Sequence, residues 1–376
     1  MKVIVRKFRK RKYWITSFNS FINAVFKEYS YYLKPGKYKY LYRSGFLYHS
    51  EFDLSLLPET ILNRNLKASS KLATFILKTC YFFIYSTKRT YVKNHNSEYN
   101  AAFALNKAGS DSGFKLFDLG PENKKVITVM NIKNFNEKIE EINTINDNFN
   151  TPIEKIKNKT NVIIEDWVDF DNASQIKEKN GFKAFNQFFD DLINFTSNYE
   201  FEKSKKINAI EVINSLKSKT KTKQLFNSMN KNVYKKLNNF DIVLNRINFF
   251  YDIGLGNFNI KNNQYHLIDY DGFQDIPPIN VFFKVLLSLS VSTKMRPILF
   301  YKSGYFDDRL KALFTAEKLD YDPHLKDIYF VLSQLTEIYI LYGNTTITDD
   351  VAKNYVRFFK KYFSIKPIKE EIKNHF

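Results

Sequence analysis

The chain has 376 residues, 44% of them hydrophobic and 17% aromatic, enough for a sizeable core in two lobes and something more. Its single cysteine, Cys80, excludes an intrachain disulfide framework and points to a reducing cytoplasm. The net charge of +19 is uneven: residues 1–100 carry 19 Lys+Arg against 5 Asp+Glu, which leaves +5 for the other 276.

In the first hundred residues, Lys2, Arg6, Lys7, Arg9, Lys10, Arg11 and Lys12 stand with Trp14, Phe18, Phe21 and Phe26. Six tyrosines follow between Tyr29 and Tyr42. Basic residues interleaved with aromatics suit an anionic membrane surface, where rings sit at headgroup level and cations meet lipid charge. The same residue types serve nucleic acid, which is the weaker expectation here, and also an ordinary basic extension packed on a core. No charged start, apolar stretch and small-residue cleavage site stand in signal-peptide order. The longest apolar run, 72–85, is broken by Lys78 and too short to span a bilayer.

Next, Gly109 and Gly113 bracket a short polar turn, and 114–118 reads as a strand. Residues 124–130 read as another. Apolar positions Phe135, Ile139, Ile142 and Ile145 among charges predict an amphipathic helix over 134–149, ended by Asn150-Thr151-Pro152. Residues 161–168 form a strand that ends in acidic and aromatic residues. A helix over 182–199 clusters Phe185, Phe188, Phe189, Leu192, Ile193 and Phe195 on one side. Lysine-rich helical sequence follows over 207–237. Beyond Pro277-Pro278, helices are expected at 281–291, 327–342 and 349–362.

Between these helical regions lies the pattern that carries chemistry. An apolar run, 245–250, leads into Asp252, and Gly254 and Gly256 let the next loop turn tightly. Residues 258–260 and 265–268 alternate as two short strands around a Lys261-Asn262-Asn263-Gln264 turn. Asn257 and Asp269 then stand at the two open ends of one hairpin. That order suits phosphoryl transfer, in which the protein chiefly positions a hydroxyl and holds metal ions. Asp252 would orient the acceptor hydroxyl and take its proton; Asn257 and Asp269 would supply the oxygen ligands that Mg²⁺ requires. Asp and Asn also populate plain turns. The spacing of all three carries the reading.

With Asp252-x4-Asn257 and Asp269-Tyr270-Asp271, the chain resembles the protein kinase-like superfamily, nearest to bacterial small-molecule and sugar phosphotransferases. Among these are the aminoglycoside phosphotransferases and lipopolysaccharide-core sugar kinases. Phe250-Tyr251 stand where protein kinases keep His-Arg, and Gly254 where they keep a lysine. Both departures point away from a Ser/Thr protein kinase. The resemblance implies ATP and Mg²⁺ as cofactors, a phosphate-covering loop at Gly109 to Gly113, and a hinge at Glu165 and Trp167. It also implies a strand lysine paired with a helix glutamate. Lys125 and Glu141 are the candidates, with Lys133, Glu137 and Glu140 as competitors. Asp271 is a secondary metal candidate. The bland alternatives, a surface turn and solvated charges, remain open for these nucleotide-side positions.

The expected fold is α+β and bilobal, protein kinase-like, with a small N-lobe sheet and one helix before a larger, mostly helical C-lobe. Residues 1–100 are expected to form a basic aromatic region, 101–170 the N-lobe and hinge, and 171–376 the C-lobe. The expected activity is ATP-dependent transfer to a hydroxyl of a small molecule or glycan, including a lipid-linked cell-envelope sugar. The enzyme would be cytoplasmic or peripheral to the inner membrane face. The alternative is a catalytically degenerate kinase fold that binds a partner or a membrane. No C-lobe motif identifies the acceptor.

Overall fold

The computed structural model describes residues 36–41, 46–53, 75, 79, 90–92, 101–103, 114–119, 124–129, 132–158, 162–168, 171, 176–202, 205–218, 222–250, 253, 257–268, 270, 272–292, 296–342 and 349–366. The fold is α+β, as expected, and divides into two compact units. The first comprises residues 1–140 and 152–169, the second 141–151 and 170–376.

The first unit is built on an eight-stranded sheet. Its strands are β1 (Gly36–Leu41), β2 (Phe46–His49), β3 (Thr90–Val92), β4 (Ala101–Phe103), β5 (Phe114–Leu119), β6 (Lys124–Val129), β7 (Ile153–Lys157) and β8 (Val162–Asp166). Their order across the sheet is β3-β1-β2-β4-β5-β6-β8-β7, and every neighbouring pair is antiparallel. Sequence reading set residues 1–100 apart from this sheet, whereas β1, β2 and β3 of that segment pair directly into it. The inner strands show why the sheet forms. Val126 and Ile127 of β6 and Val162 and Ile163 of β8 are buried β-branched residues, which suit a pleated, packed surface. β7 closes one edge with a register irregularity between Ile153 and Lys155.

The helix Ile132–Asn148 matches its apolar periodicity: Phe135, Ile142 and Ile145 are buried, and Phe149 just beyond it is too. The second unit centres on the helix Glu178–Asn198. Phe182, Phe185, Phe188, Phe189, Leu192 and Phe195 are all buried at i, i+3, i+4 and i+7 spacing, while Asp190 and Asn194 face water. Each such ring contributes about 1.5–3 kcal/mol by leaving water. The helix packs on Asp307–Ala316 and on Pro278–Ser292, with Phe189 and Phe282 ring centroids 4.4 Å apart. Lys326–Tyr342 packs on Pro278–Ser292 in turn, and Phe330 stacks on Tyr362 of the helix Asp349–Ser364 at 3.7 Å.

One stretch departs from the sequence reading. Helical sequence, a helix pair, was expected from residue 207. Instead, β9 (Lys206–Asn208) pairs with β10 (Val243–Asn245), and helix begins only at Ala209. The Asn208 carboxamide is the cause, because it accepts from the N–H groups of Ile210 and Glu211 as a helix cap. The helices Ala209–Lys217, Lys223–Asn227 and Lys231–Asn238 complete the segment.

Candidate active site

Two antiparallel strand pairs of the second unit frame the expected site. β11 (Ile247–Phe250) pairs with β14 (Phe273–Ile276), ending at the Phe250–Phe273 register. β12 (Phe258–Lys261) pairs with β13 (Gln264–Leu267) in register Phe258–Leu267 to Lys261–Gln264. The predicted hairpin turn is present. Asn262 and Asn263 adopt φ of 51° and 67°, left-handed values that Asn tolerates and that a tight two-residue turn demands. Asp171 secures this turn, its N–H donating to the Ile260 carbonyl at 2.9 Å and its carboxylate accepting from the Asn262 N–H at 3.2 Å.

The open end of the hairpin is at Asn257. Its carbonyl accepts from the Ile268 N–H at 3.0 Å, one step beyond the β12–β13 ladder. Asn257 is half-buried. Asp252, Asp269 and Asp271 lie outside the described residues, as do Gly254 and Gly256. Their described neighbours are firmly held. Phe250 and Ile253, on either side of Tyr251 and Asp252 in sequence, are fully buried. Tyr270, between the two acids, is buried too, its hydroxyl donating to the Leu267 carbonyl at 2.7 Å and its ring edge-on to Phe250 at 6.0 Å. Among the described residues no three His, Cys, Asp or Glu side chains gather as a metal cluster. Asn257 fits Mg²⁺ in kind, as an oxygen donor, but one carboxamide is too few. The remaining donors of the expected set are outside the described residues.

Polar contacts that the sequence reading did not single out hold this frame. The Tyr265 ring is fully buried, parallel to Phe258 at 5.7 Å and edge-on to Phe188 at 5.3 Å. Its hydroxyl donates to the Asp191 carboxylate and accepts from the Asn150 N–H at 2.9 Å. Burial, and then the Asp191 bond, raise the Tyr265 hydroxyl well above its usual range. Asp191 is raised by burial and drawn back by the tyrosine. Asn150 further donates its side-chain amide to the Tyr265 carbonyl and accepts from the Leu267 N–H at 3.0 Å. On β11, the Asn248 side chain donates to Glu141 at 2.9 Å, and its N–H to the Tyr199 hydroxyl at 3.0 Å. A tyrosine at a buried strand position was the one available signal, because a buried hydroxyl needs a partner.

The nucleotide-side candidates fare differently. Gly109 and Gly113 lie outside the described residues, and so does the side chain of Lys133. Lys125 donates to Glu154 at 2.7 Å and to Asp166, its direct cross-strand partner; these two bonds hold its ammonium above the usual lysine range. Glu141 is bound to Asn248. Each of the two residues inferred as a lysine–glutamate pair thus has a partner that no spacing in the sequence revealed. Glu165 is buried on β8 and accepts from the Thr128 hydroxyl at 3.2 Å. Trp167 is half-buried, its N–H donating to the Lys124 carbonyl at 2.9 Å and so extending the β6–β8 ladder past Asp166.

No protein-family model matches the chain, and no curated protein does. Solved structures do. The chain is similar to the choline kinase LicA from Streptococcus pneumoniae, with 12% identity, 70% of this chain and 94% of that one covered, and a TM-score of 0.37. It is similar to the amicoumacin kinase hAmiN, with 11% identity, 73% and 91% coverage, and a TM-score of 0.37. A choline/ethanolamine kinase family protein from Mesorhizobium loti shows 12% identity, 72% and 90% coverage, and a TM-score of 0.35.

Proposed function

We infer that this chain is an ATP-dependent phosphotransferase of the kinase-like type that acts on a hydroxyl of a small molecule or glycan. One observation carries the reading: the Asn257–Ile268 backbone bond closes the hairpin immediately before Asp269, on the strand pairs that also flank Asp252. Along the chain Asp252 follows β11 and Asp269 follows Ile268, which supports reading the Asp-x4-Asn and the downstream Asp together. In this reading the Asp252 carboxylate takes the proton of the acceptor hydroxyl as its oxygen attacks the γ-phosphorus and ADP departs. Mg²⁺, when bound, would neutralise charge on the phosphates; Asn257 and Asp269 would hold it.

The basic, aromatic segment 1–100 supports an acceptor at an anionic surface, such as a lipid-linked cell-envelope sugar. No helix among the described residues is long and apolar enough to cross a membrane.

The test is substrate-dependent ATP consumption across a panel of amino alcohols, aminoglycosides and sugars. Asp252→Ala and Asp269→Ala should each abolish it while leaving the melting temperature in place; residual turnover in either variant would sink the assignment of roles. The second reading, a kinase fold that binds without chemistry, is favoured by the engagement of Lys125 with two carboxylates. Mg²⁺–ATP titration separates the two, because a ligand that binds only the folded state raises the melting temperature.

A further inference from the structure

Tyr265 stands where three segments of the second unit meet. It lies on β13, its hydroxyl bonds to Asp191 on the helix Glu178–Asn198, and Asn150 reaches it from the end of the helix Ile132–Asn148. Asn150 commits its N–H, its carbonyl and its side-chain amide to Tyr265 and Leu267. The same short segment, 141–151, holds β11 through the Glu141–Asn248 bond. Asn248 lies four residues ahead of Asp252, and Leu267 directly precedes Ile268, whose N–H closes on Asn257. One stretch of chain therefore touches both the strand that leads to the expected base and the hairpin that carries the expected metal ligand.

If Tyr265 only filled volume, phenylalanine would serve in its place, as it does at the neighbouring buried positions Phe188 and Phe258. The hydroxyl instead lies between a carboxylate that accepts and an N–H that donates. This fixes the ring, and through Asn150 the height of β13 relative to β11. We propose that Tyr265, acting through Asn150 and with Asp191 as its acceptor, is a positioning residue. It sets the Asn257 mouth of the hairpin against the end of the strand that leads to Asp252. The proposal rests on the phosphotransferase reading for its consequence in rate, but not for its consequence in local order. Sub-ångström placement governs rate more than binding, so loss of this node should appear in kcat and leave nucleotide affinity alone.

The experiment uses the full chain, with MgATP and water as the acceptor, and compares four variants. Tyr265→Phe and Asp191→Ala remove the bond, Asp191→Asn keeps an acceptor, and Tyr362→Phe removes a buried Tyr–Asp bond elsewhere in the unit, at 2.7 Å to Asp327, between two helices. Hydrogen–deuterium exchange is read on peptides covering 251–257 and 266–272, beside steady-state kinetics. Tyr265→Phe and Asp191→Ala should speed exchange in both peptides and lower kcat about tenfold or more, with KM for ATP within about twofold. Asp191→Asn should stay near wild type, and Tyr362→Phe should change neither readout at the mouth. Unaltered exchange in Tyr265→Phe, or an effect that Tyr362→Phe reproduces, overturns the proposal. Asp191→Ala decides alone should Tyr265→Phe not fold. Wild-type protein that consumes no ATP with water or with any acceptor of the panel, while the exchange result holds, would sink the phosphotransferase reading and leave the positioning role standing.

Discussion

Glu141 accepts a hydrogen bond from the Asn248 carboxamide at 2.9 Å, which ties the helix ending at Asn148 to β11. Glu141 is the glutamate expected to hold a nucleotide-anchoring lysine, and its carboxylate also holds the Asn248 amide of β11. Glu141→Ala should cost about 1–3 kcal/mol in urea denaturation, because it leaves a half-buried amide without its partner. Glu141→Gln keeps an acceptor and should recover most of that loss. Equal losses in both variants would refute a hydrogen-bonding role.

Lys125 sits with two carboxylates on a solvated sheet face, its own side chain 28% exposed and those of Glu154 and Asp166 51% and 58%. Exposed ion pairs contribute about 0–1 kcal/mol, screened by salt. Lys125→Met should shift stability by no more than that and leave the KM for ATP within about twofold. A many-fold rise in KM would return this lysine to the nucleotide site.

Glu317 is fully buried just beyond the helix Asp307–Ala316, and among the described residues neither of its carboxyl oxygens has a hydrogen-bond partner. Burial pushes its carboxyl up to about 8. Between the unfolded value and that one, the folded state keeps a proton the unfolded chain has released. Stability must therefore fall as pH rises from about 5 to about 8 and level off above. Glu317→Gln, permanently neutral, should gain on the wild type across that window, by roughly 2–4 kcal/mol at its upper end. Urea midpoints at the two ends of the window check this; parallel curves for the two proteins would contradict it.

Vesicle flotation addresses the basic segment. The full chain should float with phosphatidylglycerol vesicles and not with phosphatidylcholine alone, and binding should weaken as salt rises past the point where the Debye length falls below about 8 Å. Binding that ignores lipid charge would argue against electrostatic docking.

The hairpin, the helix Ile132–Asn148 and the helix Glu178–Asn198 were legible because each rests on local physics: a turn that needs left-handed residues, or an apolar face at helical spacing. The cap at Asn208 was legible in principle but was masked by the helical pattern around it. Residues that depend on register were not legible. Lys125 meets Asp166 only because β6 and β8 pair with those two residues opposite, and no spacing along the chain encodes which strand lies beside which. The same holds for Asn150, which reads as a helix stop in sequence and is a cross-link in space. For the expected site, the sequence offered Asp252, Asn257 and Asp269; the residues that hold the described hairpin, Tyr265, Asp191 and Asp171, come from elements far apart along the chain.

The irregularity at β7 has a consequence for solubility. Among the described residues β7 is the last strand on its side of the sheet, and a last strand is a place where another chain can add. Here that border carries Glu154, Lys155 and Lys157 facing water, and its pairing slips between Ile153 and Lys155. A charged, kinked border makes a poor surface for further strand addition. This border of the eight-stranded sheet is thus guarded against growing from one molecule into the next.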